Sequence, residues 1–466
     1  MEQNRRDFLK TGAAIAAAMQ SSNVMGANDR VRVAVVGLRG RGHDHLKTYR
    51  GIEGVEVAAV CDIDENVLAQ RVGDMEKMGM PKPKTYIDVR KLLEDKSIDA
   101  VSIATPNHWH SLIGIWACQA GKDAYVEKPC SHNWYEGKQL VAAVKRYNRI
   151  VQHGTQSRSS TGAIEAVNHL RDGLVGDVYL SRGLCYKWRD TIGRKPVQAI
   201  PAGVHYDLWL GPAPDRGFTM NRFHYNWHWF WDTGNGDIGN QGIHEMDTAR
   251  WGLGVKFPTK VAAMGGHFMF DDDQQTPNVL NVAFEFDTPE GKKKMLEFEV
   301  RHWITNHEAA IGTWGKSSLP PAGLNADAKP AAAKSNLGPV SGKPGTIGNI
   351  YYGPKGYLAI EEYTRYKSWL GEREEPGPSG IGKENNFENW IQCVRSRNAS
   401  KLNAPIEEGH ISATLVHLAN VSYRLGRALH FNPETEQVIG DEEANRLLRD
   451  ADRGYRKGFE IPKIEG

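Results

Sequence analysis

Between Val31 and Val151 the sequence alternates short β-branched runs with segments of helical periodicity. The runs are VRVAVVG, VEVAAVCD, IDAVSIATP, DAYVEKP and RIVQHGT, and helical patterns separate most of them. This alternation predicts a parallel sheet with helices on both faces, because parallel neighbours need a crossover connection. We therefore expect a doubly wound α/β domain over residues 31–152.

After about residue 155 the pattern changes to longer amphipathic strands without intervening helices. They are DVYLSRGLCYKW, TKVAAMGGHFMF, VLNVAFEF and KKMLEFEVRHW. In-out alternation predicts a mostly antiparallel sheet, here in an α+β domain over residues 153–466 that NFENWIQCVRSR and GHISATLVHLANVSYRLGRAL complete as amphipathic helices. Residues 315–348 are rich in Ala, Pro, Gly, Ser and Lys, which predicts a long surface loop.

Charge and cysteine content exclude several classes of function. Lys plus Arg number 58 and Asp plus Glu 56, and no long basic run is present, so we expect no nucleic-acid partner. After the N-terminal segment no apolar stretch is long enough to span a bilayer. The five cysteines are widely spaced and form no CxxC pair, so we expect buried free thiols and no metal site.

The first thirty residues have a different pattern from the rest of the sequence. NRRDFLKTGAAIAAAMQSSNVMGA has two adjacent arginines, a mildly apolar Ala-rich run and small residues near its end. This order resembles a twin-arginine export signal; the alternative is a disordered basic tail. The signal predicts that the mature protein begins near Asn28 and works outside the cytoplasm. The twin-arginine route carries folded proteins, including those that already hold a cofactor.

The turn after the first strand has the composition of a phosphate-binding loop. VRVAVVGLRGRGHDH places Gly37 and Gly42 in the first and third positions of a GxGxxG pattern, with Arg39 in the second. Glycines there allow a tight turn and the close approach of a pyrophosphate to a helix N-terminus. Asp62, at the end of the second strand, would accept hydrogen bonds from ribose hydroxyls and repel a 2′-phosphate, which favours NAD over NADP. Arg39 leaves NADP open, because a guanidinium can hold a phosphate.

Two further strand ends complete a recognisable set of motifs. The third strand ends in ATPNHWH and the fourth in VEKP, at the carboxyl ends where doubly wound sheets bind ligands. Together with VGLRGRG, the CD pair at 61–62 and a later GxH segment, they resemble the glucose-fructose oxidoreductase, inositol dehydrogenase and rhizopine catabolism (Gfo/Idh/MocA) family. The resemblance runs from about Val31 to the C-terminal helices.

The resemblance implies a nicotinamide site at these strand ends. It places residues 105–110 near the nicotinamide and its ribose, and Glu127 and Lys128 toward the substrate, with Pro129 often cis. A lysine beside a positively charged nicotinamide should lose its proton more readily, so Lys128 could take the proton of a substrate hydroxyl; the alternative is a surface lysine paired with a carboxylate. The predicted cofactor contacts are Gly37, Leu38, Arg39, Gly40, Gly42, Asp62, Thr105, Asn107, His110, Glu127 and Lys128. For His110, packing at a helix start is an equal alternative.

The segment DIGNQGIHEMD contains the second candidate base, His244. The family places such a base in a DxGxH motif, and here Asn240 stands where that motif has aspartate. An asparagine carbonyl can hold an imidazole in one tautomer but cannot stabilise its charge, so proton transfer should depend more on Lys128, or on Asp237 or Asp247. Asn240 is also a good helix N-cap residue. Metal binding by His244 and Asp247 lacks a convincing further ligand.

Aromatic residues concentrate just before that segment, in FHYNWHWFWDTGNGD. Aromatic faces stack on sugar rings and polar groups bind hydroxyls, which suits a carbohydrate, although core packing is the alternative for most of the tryptophans. The predicted substrate contacts are Lys128, His228, Asn240 and His244, of which Lys128, His244 and Asn240 are also the predicted catalytic residues.

Together these features predict an exported NAD-dependent oxidoreductase that acts on a sugar or polyol and keeps its nicotinamide bound. One alternative is an NAD-dependent glycosidase or lyase that oxidises C3 transiently and needs another base near C2, such as His228 or Tyr206. Another is a cofactor-binding protein without chemistry, motivated by Arg39 and Asn240. An exposed antiparallel sheet would suit a homodimer or homotetramer.

Overall fold

The computed structural model describes residues 30–302, 306–309, 311, 345–449 and 453–465. The predicted export signal and most of the predicted loop at 315–348 lie outside them. The predicted loop extends too far at its C-terminal end, because a strand begins at Thr346.

The N-terminal part is a six-stranded parallel sheet in the order β3-β2-β1-β4-β5-β6. Its strands are β1 (Val31–Val36), β2 (Val55–Cys61), β3 (Lys84–Tyr86), β4 (Ala100–Ile103), β5 (Asp123–Val126) and β6 (Val151–His153). The helices between them are α1 (Gly40–Arg50), α2 (Glu65–Lys77), α3 (Val89–Glu94), α4 (His110–Gln119) and α5 (Trp134–Tyr147). The predicted Rossmann-type sheet is confirmed, and β3 is an additional short strand.

The C-terminal part contains a ten-stranded sheet in the order β14-β13-β12-β11-β7-β10-β9-β8-β15-β16 among the described residues. The strands are β7 (Leu180–Lys187), β8 (Lys260–Gly266), β9 (Val279–Asp287), β10 (Lys293–His302), β11 (Thr346–Gly353), β12 (Gly356–Glu361), β13 (Arg365–Leu370), β14 (Glu375–Ile381), β15 (Leu429–Asn432) and β16 (Gln437–Val438). β7 and β10 run parallel and the other pairs are antiparallel. The predicted mostly antiparallel sheet is therefore confirmed.

Helices cover one face of this second sheet. They are α6 (Thr161–Arg171), α8 (Gly236–Asn240), α9 (Gly242–Leu253), α11 (Ile406–Leu425) and α12 (Glu442–Leu447). The C-terminal part also contains α7 (Tyr206–Leu210) and α10 (Asn386–Ser396), which pack elsewhere. Helix α9 packs on the sheet so closely that a Cβ at Gly242 would lie 2.3 Å from the Phe298 ring. Close packing of this kind fixes the helix that carries His244.

Two of the C-terminal helices also pack on the N-terminal sheet. Trp390 and Phe387 of α10 share a buried cluster with Tyr125 of β5, while Ile406 and Ala413 of α11 join the cluster on the opposite face. None of the described helices has the length and apolarity needed to cross a membrane.

The segment that follows β7, residues 188–233, leaves the second sheet and lies across the first domain; we call it the strap. Its backbone pairs with the loop after β2, where Glu65 N donates to Gly203 O at 2.9 Å and His205 N to Ile63 O at 2.9 Å. The strap therefore covers the carboxyl end of the parallel sheet, where ligands bind in this architecture.

Candidate active site

The turn after β1 brings two loops into close contact. Gly37 has φ +82°, and a Cβ there would lie 2.7 Å from the Ala104 carbonyl oxygen. A Cβ at Gly42 would lie 1.7 Å from the Gly37 carbonyl oxygen, whereas one at Gly40 would meet nothing within 4 Å. Gly37 and Gly42 are thus required by the turn and by helix packing, and Gly40 is not.

Asp62 is held beside this turn by backbone donors. Its Oδ2 accepts from Leu38 N at 2.7 Å and its Oδ1 from Asp64 N at 3.0 Å. Burial raises the pKa of Asp62 to about 6, although these two hydrogen bonds oppose the rise. The carboxylate is thus fixed where a ribose bound in this fold would reach it.

One cavity of about 310 Å³ connects the turn to the ends of β2, β4 and β5 and to the strap. The predicted residues in its wall are Gly37, Leu38, Arg39, Gly40, Asp62, Thr105, His110, Glu127, Lys128, His228 and Asn240. Two polar groups in the wall, the Arg39 guanidinium and the buried Thr105 hydroxyl, have no hydrogen-bond partner among the described residues. With the glycine turn and Asp62, these groups fit a dinucleotide.

Three predicted site residues do not line the cavity. Gly42 packs α1 against the turn, as its contact with Gly37 requires. The Asn107 amide donates to Asn235 Oδ1 at 2.6 Å, so it joins two chain segments behind the wall. His244 lies near Lys128 and does not line the cavity. Gly42 and Asn107 do not line the cavity, and their contacts with a cofactor stay predictions.

Glu127 is engaged in a buried ion pair. Its Oε1 accepts from Arg41 Nε at 2.6 Å and from His45 Nε2 at 3.0 Å. Burial raises the pKa of Glu127, but Arg41 and His45 outweigh it and hold the pKa well below its usual range. The carboxylate therefore anchors the strand end that presents Lys128.

Lys128 points its amine across the cavity to the other domain. Its Nζ donates to the Asn240 carbonyl oxygen at 2.7 Å, and the Lys128–Pro129 peptide bond is cis. Burial lowers the pKa of Lys128, with the Glu127 carboxylate opposing. The amine is held at a defined point in the wall and loses its proton more readily than a solvated lysine.

Asn240 is the last residue of α8 and not the N-cap of α9, a position that Gln241 occupies. The N-cap interpretation of Asn240 is thus wrong, because the two helices follow each other almost directly. Its amide instead donates to Asp237 Oδ1 at 3.2 Å. Asp237 also accepts two hydrogen bonds from Arg189, at 2.8 and 3.0 Å, and one from His302 at 2.8 Å.

His244 is buried next to Lys128 without a supporting carboxylate. Its Nδ1 has no hydrogen-bond partner among the described residues, and its ring lies 4.9 Å from that of Tyr363. Asp247 is taken up by an ion pair with Arg158 at 2.8 Å. Burial and the nearby Lys128 cation hold the pKa of His244 well below its usual range, so the imidazole is neutral.

His228 lies in the cavity wall in one tautomer. Its Nδ1 donates to the Tyr225 carbonyl oxygen at 2.6 Å. Burial, reinforced by Lys128, holds the pKa of His228 well below its usual range. The neutral ring therefore carries its lone pair on Nε2.

The aromatic residues divide between the wall and the core. Trp227 lines the cavity, and Trp229 is buried under Arg189. Tyr206, suggested as a second base, donates to the Gly217 carbonyl oxygen and stacks on the wall residue Trp209. Tyr206 itself does not line the cavity.

His110 spans two loops of the wall. Its Nδ1 lies 2.6 Å from the Pro129 carbonyl oxygen and its Nε2 2.8 Å from that of Thr105. Burial lowers the pKa of His110, so the neutral ring donates to one carbonyl at a time. His110 both lines the cavity and ties the Thr105 turn to the strand end of Lys128.

Sequence reasoning did not assign the wall residues Arg41 and Trp209 to the site, and it named His224 and Tyr225 only as members of the aromatic segment. Arg41 follows the glycine turn, so its position was a usable signal. The other three belong to the strap. No local sequence pattern predicts that the strap contacts the first domain. Among the described residues, no group of three His, Cys, Asp or Glu side chains is placed to hold a metal ion.

Solved structures with this fold include oxidoreductases of sugars. An aldose-aldose oxidoreductase from Caulobacter crescentus, complexed with glycerol, superimposes with a TM-score of 0.60 at 18% identity, covering 86% of this chain and 100% of that one. A levoglucosan dehydrogenase in complex with NADH and levoglucosan gives a TM-score of 0.59 at 15% identity, over 86% and 99% of the two chains. At these identities the likeness shows the fold alone.

Curated relatives match over a shorter stretch. A glycosyl hydrolase family 109 protein from Shewanella pealeana is 31% identical over 204 residues, which are 38% of this chain and 45% of the relative. An alpha-N-acetylgalactosaminidase from Shewanella oneidensis is 28% identical over 202 residues, 38% and 44% of the two chains. The chain thus matches about half the length of these relatives.

Three family models match the chain. A twin-arginine translocation signal matches residues 2–20 and points to export by that route. An NAD-binding Rossmann-fold model of an oxidoreductase family matches residues 31–155. The C-terminal alpha/beta domain model of the same family matches residues 170–280 and 352–457. The two oxidoreductase models together cover most of the chain, which therefore belongs to the Gfo/Idh/MocA family of NAD-dependent oxidoreductases.

Proposed function

We propose that this exported oxidoreductase acts on a hydroxyl group of a sugar or polyol and keeps its nicotinamide cofactor bound between turnovers. The observation that carries the proposal is the position of Lys128. Its amine lies in the wall of the dinucleotide cavity and is held at 2.7 Å by the Asn240 carbonyl of the other domain. A bound nicotinamide would supply the hydride acceptor, and Lys128 would orient the hydroxyl of the same alcohol and help to take its proton.

The polar groups around Lys128 favour a polyhydroxylated substrate. His228 offers a lone pair on Nε2, Asn240 an amide, and Trp227 an aromatic face. Such a combination matches the alternating apolar faces and hydroxyls of a sugar. The levoglucosan bound in the levoglucosan dehydrogenase structure and the aldose in the name of the aldose-aldose oxidoreductase support the same substrate class.

Two carboxylates favour NAD over NADP. Asp62 and Asp64 lie together at the end of β2, and Asp64 also accepts from His224 Nε2 at 2.9 Å. A 2′-phosphate would face both of them, whereas ribose hydroxyls can donate to Asp62. Arg39 offsets part of this negative charge, and its guanidinium is available to the pyrophosphate at the turn.

The strap supports retention of the cofactor. Leu208, Trp209, His224, Tyr225, Trp227 and His228 form one wall of the cavity, and the strap is fixed to the β2 loop by backbone hydrogen bonds. A dinucleotide enclosed in this way can leave only when these contacts open. Retention suits an exported protein, which has no cytoplasmic pool to draw on.

Lys128→Ala tests the central claim. We expect the purified protein to carry nicotinamide. Free sugars should reduce this nicotinamide, and the absorbance at 340 nm measures the reduction. The variant should keep the cofactor but lose about 10²-fold or more of this reduction rate. Lys122→Ala is the matched control, because Lys122 is a buried lysine whose amine also donates to backbone carbonyls, far from the cavity. Full activity in Lys128→Ala would overturn the assignment.

A second candidate is an NAD-dependent glycosidase or lyase that works through a transient 3-keto sugar. The partial match to glycosyl hydrolase family 109 proteins favours it, and so does the second basic group in the wall, His228. Aryl glycosides distinguish the two functions: catalytic release of the aglycone without net reduction supports the glycosidase, and stoichiometric reduction by free sugars the dehydrogenase. Silence in both assays with cofactor bound would indicate a binding protein without chemistry.

A further inference from the structure

Tyr225 is the strap residue that places a titratable oxygen next to Lys128. It precedes the short 3₁₀ turn Asn226–Trp229 and lines the same cavity as Lys128, His228 and Asn240. Its backbone carbonyl accepts from His228 Nδ1, and the rings of the two residues lie 4.8 Å apart. The phenol is thus a second candidate for proton transfer in the wall.

Behind Tyr225 lies a buried ion pair. Asp237 is 1% exposed and binds Arg189 through both carboxylate oxygens, at 2.8 and 3.0 Å. Bidentate pairing fixes the plane of the guanidinium as well as its distance. The remaining Arg189 nitrogen, Nη1, donates to the Tyr225 hydroxyl at 3.3 Å. The carboxylate therefore aims the cation at the phenol.

Charged and polar groups from several elements face the phenol. Lys187 stands at the end of β7, Arg189 at the start of the strap, Lys128 after β5, and Asp237 with Asn240 on α8. Burial raises the pKa of Tyr225 and Asp237 adds to it, but Arg189, Asn240 and Lys187 outweigh both, so the net direction is downward. The surroundings thus favour the phenolate more than water does.

We propose that Tyr225 is a catalytic acid-base residue of this site and that Arg189 and Asp237 are its positioning residues. The inference rests on the proposed oxidoreductase function. During oxidation the substrate O–H bond would break and its proton would move, with the help of Lys128, to the Tyr225 phenolate oxygen, while Arg189 stays protonated. The C–H electron pair would leave with its hydrogen as hydride to a bound oxidised nicotinamide. The reverse reaction returns the proton from the phenol.

A titration without substrate tests the phenol itself. The ultraviolet tyrosinate signal of the holoenzyme is recorded against pH for the wild type and for Tyr225→Phe, and the difference isolates one tyrosine. We expect its midpoint below the ordinary value of about 10, and a shift upward in Arg189→Gln, because the Arg189 cation is the largest influence that lowers this pKa. A midpoint at or above the ordinary value in the wild type would overturn the proposal.

Activity provides the second measurement. Tyr225→Phe should lower reduction of the bound cofactor by about 10²-fold and remove one ionisation from the pH profile. Tyr206→Phe, a buried strap tyrosine outside the cavity wall, is the matched control and should keep both. Unchanged activity and profile in Tyr225→Phe would overturn the proposal. If the wild type oxidises no sugar, the proposed function is wrong. The titration still tests Tyr225 separately, because it uses no substrate.

Discussion

Asp237 carries the negative charge that organises one side of the cavity. It binds Arg189, His302 and the Asn240 amide, and Arg189 and His302 hold the pKa of this buried carboxyl well below its usual range. A carboxylate is therefore present three residues before the position where the family motif has one. It acts on Arg189 and Asn240 and not on His244.

Restoring the motif aspartate should therefore be harmful. In Asn240→Asp two carboxylates would face each other at about the present 3.2 Å, and we expect a loss of about 1 to 4 kcal/mol of unfolding free energy at pH 7. The loss should shrink toward pH 5, since one of the pair can then take a proton. Denaturant unfolding at both pH values measures it. A gain in both stability and turnover would show that position 240 lacks a needed charge.

Asp62 should make cofactor affinity depend on pH. Because burial raises its pKa to about 6, the carboxylate is mostly ionised at pH 7 and mostly protonated at pH 5. A ribose hydroxyl donates to the ionised form, so NAD affinity should be full above about pH 6 and fall as the pH drops through it.

Calorimetric titration of the cofactor-free protein at pH 5, 6 and 7 measures this dependence. Asp62→Asn is the control and should bind weakly at all three values. Equal affinity of the wild type at pH 5 and pH 7 would contradict the assigned role of Asp62.

At the scale of elements, the glycine turn offers a clean comparison. Gly42→Ala must displace the Gly37 carbonyl oxygen, which would lie 1.7 Å from the new Cβ, and we expect a cost of about 3 kcal/mol or more together with lost cofactor binding. Gly40→Ala meets no atom within 4 Å and starts α1, so its stability should stay equal or rise by up to about 1 kcal/mol. Thermal unfolding without cofactor compares them; equal melting points would contradict this packing.

Much of the fold follows from hydrophobic periodicity. β1, β2, β4 and β5 are largely apolar and mostly buried, whereas β9 and β10 alternate between buried and less buried residues, so each class was predicted from its own pattern. β3 and the strands from β11 to β16 were not predicted. β3 has three largely exposed residues, and β14, EPGPSGI, carries prolines and glycines that only an edge strand tolerates.

The site was predictable only where it lies at strand ends. The residues after β1, β2, β4 and β5 converge in the cavity because the carboxyl ends of parallel strands share an edge. His224 and Tyr225 reach it through a tertiary contact between the strap and the first domain, which no periodicity encodes. The pairing of Asp237 with Arg189 likewise joins residues 48 positions apart in sequence.

At the scale of the whole molecule, the strap joins the two domains over the cofactor cavity. His224→Ala removes its hydrogen bond to Asp64 and a side chain of the wall, so we expect bound nicotinamide to be lost several-fold faster. His205→Ala is the matched control, since that strap histidine pairs with Glu65 at the exposed surface and outside the wall. Repeated rapid gel filtration measures the loss. Equal retention in both variants would show that the strap does not hold the cofactor.

Strand β7 pairs in parallel with β10, and the strap belongs to the long segment that connects β7 to the next strand, β8. The residues between Lys187 and Lys260 leave the sheet and return to it, with both ends anchored in hydrogen-bonded strands. Insertions and deletions within residues 188–233 can therefore alter six wall residues at once while every strand keeps its register. Selectivity should diverge fastest among relatives in this single stretch, and a chimaera that carries a foreign strap is the shortest engineering route to a different substrate.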